Sequence, residues 1–230
     1  MHSKRVSLLV LFLFCTASVA VRADKVDDHI KPEMQNQHIP GLSLAVLKNG
    51  KIIKAAGYGL ANVELNVAAK PETVYKIGSV SKQFIATGIM LLVEEGRVSL
   101  DDKISKFLEG TPETWKNITV RHLLTHTSGI VREAPGFDPY KVQSDVEVIK
   151  SAYPIFYGFG WEITSPARGH RKISHGGSLP GFRAALARFV DDSLTVVILT
   201  NGDNAKPGQL VDGVAAIYVP PLTPMVPKRN

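Results

Sequence analysis

The feature that most restricts the fold is the pair Asn49-Gly50. It separates Gly41–Lys48, where β-prone residues alternate, from residues 51–56, which are β-prone as well. Asn-Gly between two such runs is the strongest short-range hairpin signal, because both central residues of a type I′ turn need positive φ. A second hairpin is predicted far downstream. Residues 182–190 and Leu194–Thr200 flank Asp191-Asp192-Ser193. Residues 195–199 are nearly all apolar, the pattern of a strand covered on both faces, so this strand belongs in the middle of a sheet.

Helical patterns lie between the hairpins and outside them. Residues 24–37 are polar with weak helical spacing at Val26, Ile30 and Met34, and Pro32 is expected to interrupt them. Residues 79–95 form the clearest helix, with Phe84, Ile85, Ile89, Leu92 and Val93 recurring at helical spacing and Gly96 as its stop. Shorter helices are expected over 119–125 (Val120, Leu123, Leu124), 144–151 and 208–218. The fold class is therefore α+β: one antiparallel sheet built from the N- and C-terminal segments, with helices packed on it.

The first 23 residues stand apart. Lys4 and Arg5 precede the apolar run of residues 6–14, and small residues follow, with Ala20 and Ala23 as cleavage points. This is the pattern of a secretory signal peptide, and the run is short for a membrane anchor. Phe14 is bulky for lipid attachment at Cys15. The expected organisation is thus a signal peptide, 1–23, and one domain, 24–230, exported to the periplasm or secreted with no stable membrane span. Cleavage after Ala23 would remove the only cysteine together with Lys4, Arg5 and Arg22. The remaining 24 basic and 21 acidic residues would leave a charge of +3. No basic stripe with interleaved aromatics is present, which argues against a nucleic-acid partner.

The chemistry concentrates at Gly78-Ser79-Val80-Ser81-Lys82. Ser79 and Lys82, three apart at a helix start, share one face. A serine hydroxyl becomes a nucleophile when a neighbour takes its proton. A lysine can do so if burial and the positive helix end depress its pKa, and the same helix end favours a developing oxyanion. The plainer alternative is a capping Ser79 beside a solvated Lys82. Downstream come Leu123-Leu124-Thr125-His126-Thr127-Ser128-Gly129, Tyr157-Gly158-Phe159-Gly160-Trp161 and Ser174-His175-Gly176-Gly177-Ser178.

Taken in this order, the motifs resemble those of the serine β-lactamase and penicillin-recognising superfamily. The likeness is to its β-lactamase-related branch of class C β-lactamases, D,D-peptidases, D-aminopeptidases and esterases. The resemblance implies that Ser79 is acylated and that Lys82 is its base. It implies that His175-Gly176-Gly177 takes the place of the family's Lys-Thr-Gly on an edge strand, and that the N–H groups of Ser79 and Ser178 form the oxyanion hole. A small molecule or peptide (a β-lactam, a D-amino-acid peptide or a small ester) would be the substrate, and no cofactor or metal is implied. The alternative for His175 is a strand-end histidine with a structural hydrogen bond.

The family's second motif, Tyr-x-Asn, is absent. Residues 130–156 are also shorter than the family's usual helical lobe, as if a segment were lost near Pro154-Ile155. Lys82 must then act alone or borrow Tyr153 or Tyr157. A different class of function stays open, namely a catalytically impaired binding protein that recognises penicillin or peptidoglycan. A remnant without function is the third reading. His122 and His126, four apart, lack the Glu of H-E-x-x-H and a third ligand, so a packing or capping role is expected rather than metal. Gly57-Tyr58-Gly59 lacks the third glycine of a dinucleotide loop, and no G-x-S-x-G is present.

Overall fold

A computed structural model describes residues 24–130, 157–164 and 170–219. Helix α1 (Lys25–Asn36) is capped by Asp24, whose carboxylate accepts from the backbone N–H groups of Val26 and Asp27. Val26, Ile30 and Met34 form its buried stripe, as their spacing predicts. Pro32 does not interrupt the helix. It sits on the exposed side, where the Asp28 carbonyl deprived of its partner meets water.

Strands β1 (Gly41–Lys48) and β2 (Lys51–Asn62) form the first hairpin. Asn49 and Gly50 have φ of 51° and 74°, the two positive values that the turn demands. β2 runs beyond the predicted 51–56 and pairs at its far end with a two-residue strand, β3 (Val67–Ala68). A 3-10 turn, Gly78–Val80, leads into α2 (Ser81–Glu94), and the short α3 (Val120–Leu124) follows. Then come β4 (Tyr157–Gly158), β5 (Trp161–Thr164), β6 (Lys172–Leu179), β7 (Phe182–Phe189), β8 (Leu194–Thr200) and α4 (Pro207–Tyr218). The helix expected over 144–151 lies outside the described residues.

The described strands make one sheet of eight, in the order β3-β2-β1-β8-β7-β6-β5-β4. β8, the apolar strand, sits between β1 and β7 and is antiparallel to both. Ends of the chain far apart in sequence are thus zipped together, with Leu44 opposite Ile198. This is the antiparallel α+β architecture that the strand order implies.

The two faces of the sheet differ. The back face carries the main core: Leu42, Leu44 and Val46 of β1, Ala185, Ala187 and Phe189 of β7, and Leu194, Val196 and Ile198 of β8 pack against α1 and α4. The front face meets the 3-10 turn, and the apolar groups beyond it form two smaller clusters, around Ala86, Val120 and Leu124 and around Ile104, Ile118 and Ile130. Helix α2 buries the stripe its spacing suggests only in part: Ile89 packs on the Ala86 cluster, and Leu92 and Val93 are half-buried. Gln83 and Ala86 are buried, whereas Phe84 and Ile85 are 62% and 65% exposed. Periodicity fixes the pitch of an apolar stripe but not which flank of it meets the rest of the chain. Among the described residues, no helix is long and apolar enough to cross a membrane.

Candidate active site

Ser79 is the middle residue of the 3-10 turn, and Lys82 lies in the first turn of α2. The tight turn swings the two side chains together, and Lys82 Nζ donates to Ser79 Oγ over 2.8 Å. Ser79 does not cap the helix. Val80 holds the N-cap position of α2, with no side-chain cap bond. Lys82 is exposed, so the burial expected to favour its neutral form is not supplied. The positive end of α2 still acts on it, since the residue sits in the first helical turn.

Two glycines bring this turn against β6. Gly78 has φ of 53°, and a Cβ there would stand 2.9 Å from the Ser178 nitrogen. A Cβ on Gly177 would collide with the Ile77 carbonyl oxygen. Backbone therefore rests on backbone, and the Ser178 main chain is held beside Ser79. A third glycine, Gly160 in the β4–β5 turn, has φ of 80°; its Cβ would lie 2.8 Å from the Gln83 nitrogen. That turn wedges the start of α2 in place.

Residues alternate across β6. Gly177 points to the front, against the 3-10 turn, and so does His175, which is buried. The His175 Nδ1 meets the Gly176 carbonyl oxygen. Ser174, Gly176 and Ser178 point to the back. β6 is an edge strand only in part: β5 pairs with Lys172, Ile173 and Ser174, and leaves residues 175–179 open on that side. The open stretch is the one that carries His175, Gly176, Gly177 and Ser178.

Of the remaining candidates, Tyr153 lies outside the described residues, and Tyr157 is placed only as backbone, in β4. His122 closes a capping box with Thr119: its N–H donates to the Thr119 hydroxyl and its Nδ1 accepts from the Thr119 N–H. Among the described residues, no group of three His, Cys, Asp or Glu side chains is arranged to hold a metal.

Two neighbours escaped the sequence reading. Tyr75 is buried, accepts from Ser43 Oγ at 3.1 Å and meets Phe182 edge-on with ring centres 6.5 Å apart. Burial pushes its phenol above the ordinary value. Gln83, next to Lys82, is buried with its Nε2 making no hydrogen bond. The only sequence signal for it was a polar residue inside an apolar helix.

A groove of about 440 Å³ opens beside Ser79 and runs over the open stretch of β6, past Ser178, Gly176 and Ser174 to Glu162. Arg183 and Lys172 line it as well.

A family model described as Beta-lactamase matches residues 26–154, more than half of the chain. Protein flp of Staphylococcus aureus is 40% identical over 113 residues, covering 46% of this chain and 22% of that protein. A beta-lactamase of Providencia stuartii is 34% identical over 123 residues, or 53% of this chain and 32% of that protein. The matches thus span about a fifth to a third of the length of these curated relatives. Among solved structures, the octameric penicillin-binding protein homologue from Pyrococcus abyssi superposes with a TM-score of 0.70 at 19% identity, covering 86% of this chain and 78% of that one. The D-amino acid amidase from Ochrobactrum anthropi SV3 does so with a TM-score of 0.65 at 15% identity, covering 84% of this chain and 96% of that one. At these identities the two structures establish the fold alone.

Proposed function

The chain belongs to the β-lactamase family, and on that premise we propose that it is an exported serine hydrolase working through an acyl-enzyme on Ser79. The observation that carries the reading is the 2.8 Å hydrogen bond from Lys82 Nζ to Ser79 Oγ at the mouth of a groove. In the productive state Lys82 is neutral and accepts the Ser79 proton as Oγ attacks the carbonyl of an ester, amide or β-lactam. The tetrahedral oxyanion sits against the N–H groups of Ser79 and Ser178. Its collapse expels the leaving group, which takes a proton from Lys82. Water then releases the acyl group by the same steps in reverse order.

His175, Gly176 and Gly177 line the substrate side of the site in this reading, and Tyr153 or Tyr157 is available as a second proton carrier. No cofactor enters. The N-terminal 23 residues act as the export signal, and the mature domain works in the periplasm or outside the cell.

A binding protein of impaired catalysis is the second reading. The absent Tyr-x-Asn and the exposure of Lys82 favour it. Labelling separates the two. The mature protein is incubated with a fluorescent penicillin and with a fluorophosphonate, and its intact mass is measured. An adduct that disappears in Ser79→Ala is the expected result. A folded protein that takes up neither probe sinks the hydrolase reading. The labelling rate should also rise with pH, as neutral Lys82 becomes available.

A further inference from the structure

The groove beside Ser79 does not stop at the residues that hold the reacting carbonyl. It passes to the back of β6, and its composition there is unbalanced. α4 packs on β7 and β8 and reaches β6 through Asp212, which pairs with Lys172. Gly176 and Ser178 stay exposed and Ser174 half-buried, and they form a floor with the start of α4 as one wall. Gly176 is not required by packing. Among the described residues, a Cβ there would meet nothing nearer than the Ala184 carbonyl oxygen at 3.8 Å, and its φ is not in the left-handed region. Gly177 beside it has no such freedom. What glycine at 176 does is keep the floor low.

The charges along this floor are three, and two are already matched. Lys172 Nζ lies 2.5 Å from Asp212, and Arg183 Nη1 lies 2.9 Å from Asp203. Glu162, opposite Ser174 and therefore on the same face, is half-buried and makes no ion pair among the described residues. The groove thus holds two neutralised cations and one unmatched carboxylate. A carboxylate in a partly enclosed groove is stabilised by a cation arriving with the ligand.

We infer that the groove behind β6 is a subsite for an ammonium or guanidinium group carried by the acyl compound, with Glu162 as its counter-ion. The inference rests on the acyl-transfer reading of Ser79 for its place in a reaction. It also fixes a length. Ser178 and Ser174 are four residues apart on a strand, or about 13 Å. The cation must therefore stand three to four extended residues from the scissile carbonyl, at about 3.3–3.6 Å each. Substrates would be peptide-like compounds with a distant basic group.

The test uses p-nitrophenyl esters of glycine, triglycine and tetraglycine, each with a free and an acetylated amino terminus. At pH 6.5 the free terminus is charged, since such groups titrate near 7.7–8.0. The quantity read is the ratio of kcat/KM for the free ester to that for the acetylated one, taken within each variant. In the natural protein the ratio should be about ten for tetraglycine and near one for glycine. It should fall towards one in Glu162→Gln and in Gly176→Val, whose side chain fills the floor, and it should fall with added salt.

A ratio near one for every length in the natural protein overturns the inference, and so does a ratio unchanged in Glu162→Gln. Ser79→Ala separates this from the hydrolase reading. Tetraglycine amide, titrated into Ser79→Ala by calorimetry, should bind more tightly than its acetylated form, and Glu162→Gln in that background should erase the difference. If no ester acylates Ser79, the hydrolase reading falls, while this titration still decides the subsite. Equal binding of the two amides would overturn it.

Discussion

The back and front of the sheet are built to different standards. The back is a continuous core in which Ile30, Leu42, Val196, Ile198 and Val214 are wholly buried between the strands and two helices. Among the described residues, the front has small separate clusters, and Phe84, Ile85 and Leu91 of α2 are exposed. Yet the front carries Ser79 and Lys82. The main core and the residues of the proposed chemistry thus lie on opposite faces. The back holds the molecule folded, and the front holds a few backbone contacts to close tolerance.

Breaking the back should be the costlier lesion. Phe189→Ala removes the largest fully buried side chain among the described residues, and it should lower unfolding stability by about 3–5 kcal/mol. A urea melt within 1 kcal/mol of the natural protein would erase the contrast. Gly177→Ala strikes the front instead. Its new Cβ would push the Ile77 carbonyl, and the Ser79 turn with it, away from β6. The rate of acylation should fall about a hundredfold, with the melt shifted far less than in Phe189→Ala. An unchanged rate would mean that the close approach does not position Ser79.

Acid probes the back at its rim. Lys54 bonds Asp24 and Asp27 over 2.7 and 2.9 Å, and these bonds hold both carboxyls below the ordinary value. Carboxyls so depressed add stability that is complete above about pH 4 and is lost as pH falls through the folded-state values. Asp24 is half-exposed, so solvent screens its share. Between pH 5 and 2.5 the natural protein should lose about 1 kcal/mol more than Lys54→Met does. Parallel pH profiles would assign the acid sensitivity elsewhere. The smallest effect is expected at Phe84→Ser, within about 0.5 kcal/mol, because the ring is already exposed. A loss of 2 kcal/mol would show that α2 is covered in solution.

What the sequence made legible was whatever depends on neighbours along the chain. Asn49-Gly50 announced its hairpin because the turn requires positive φ at two adjacent residues. Residues 195–199 announced a central strand because both sides are apolar. Ser79 and Lys82 were legible because a spacing of three brings side chains together on any helical turn. Contacts set by the tertiary fold were hidden. Gly177 looked like any strand glycine until the Ile77 carbonyl was seen against it, and Gly176 beside it serves no packing need at all. Phe84 and Ile85 read as core because their spacing cannot say which flank of the helix the described residues pack against. Pro32 read as a breaker because its harmlessness depends on which side of α1 faces water.

The place of β8 between β1 and β7 has a consequence in time. The first hairpin leaves the ribosome with one of its long edges unfilled, and the strand that fills it lies about 150 residues later. At about 5–20 residues per second, β1 waits about 8–30 s for its neighbour. Until then the apolar side chains of Leu42, Leu44 and Val46 have neither β8 nor α4 to lie against. Contacts of such long range also fold slowly once the chain is complete. The nascent protein is therefore a client for whatever shields unpaired strands, and its yield in a cell should depend more on that interval than on the stability of the finished sheet.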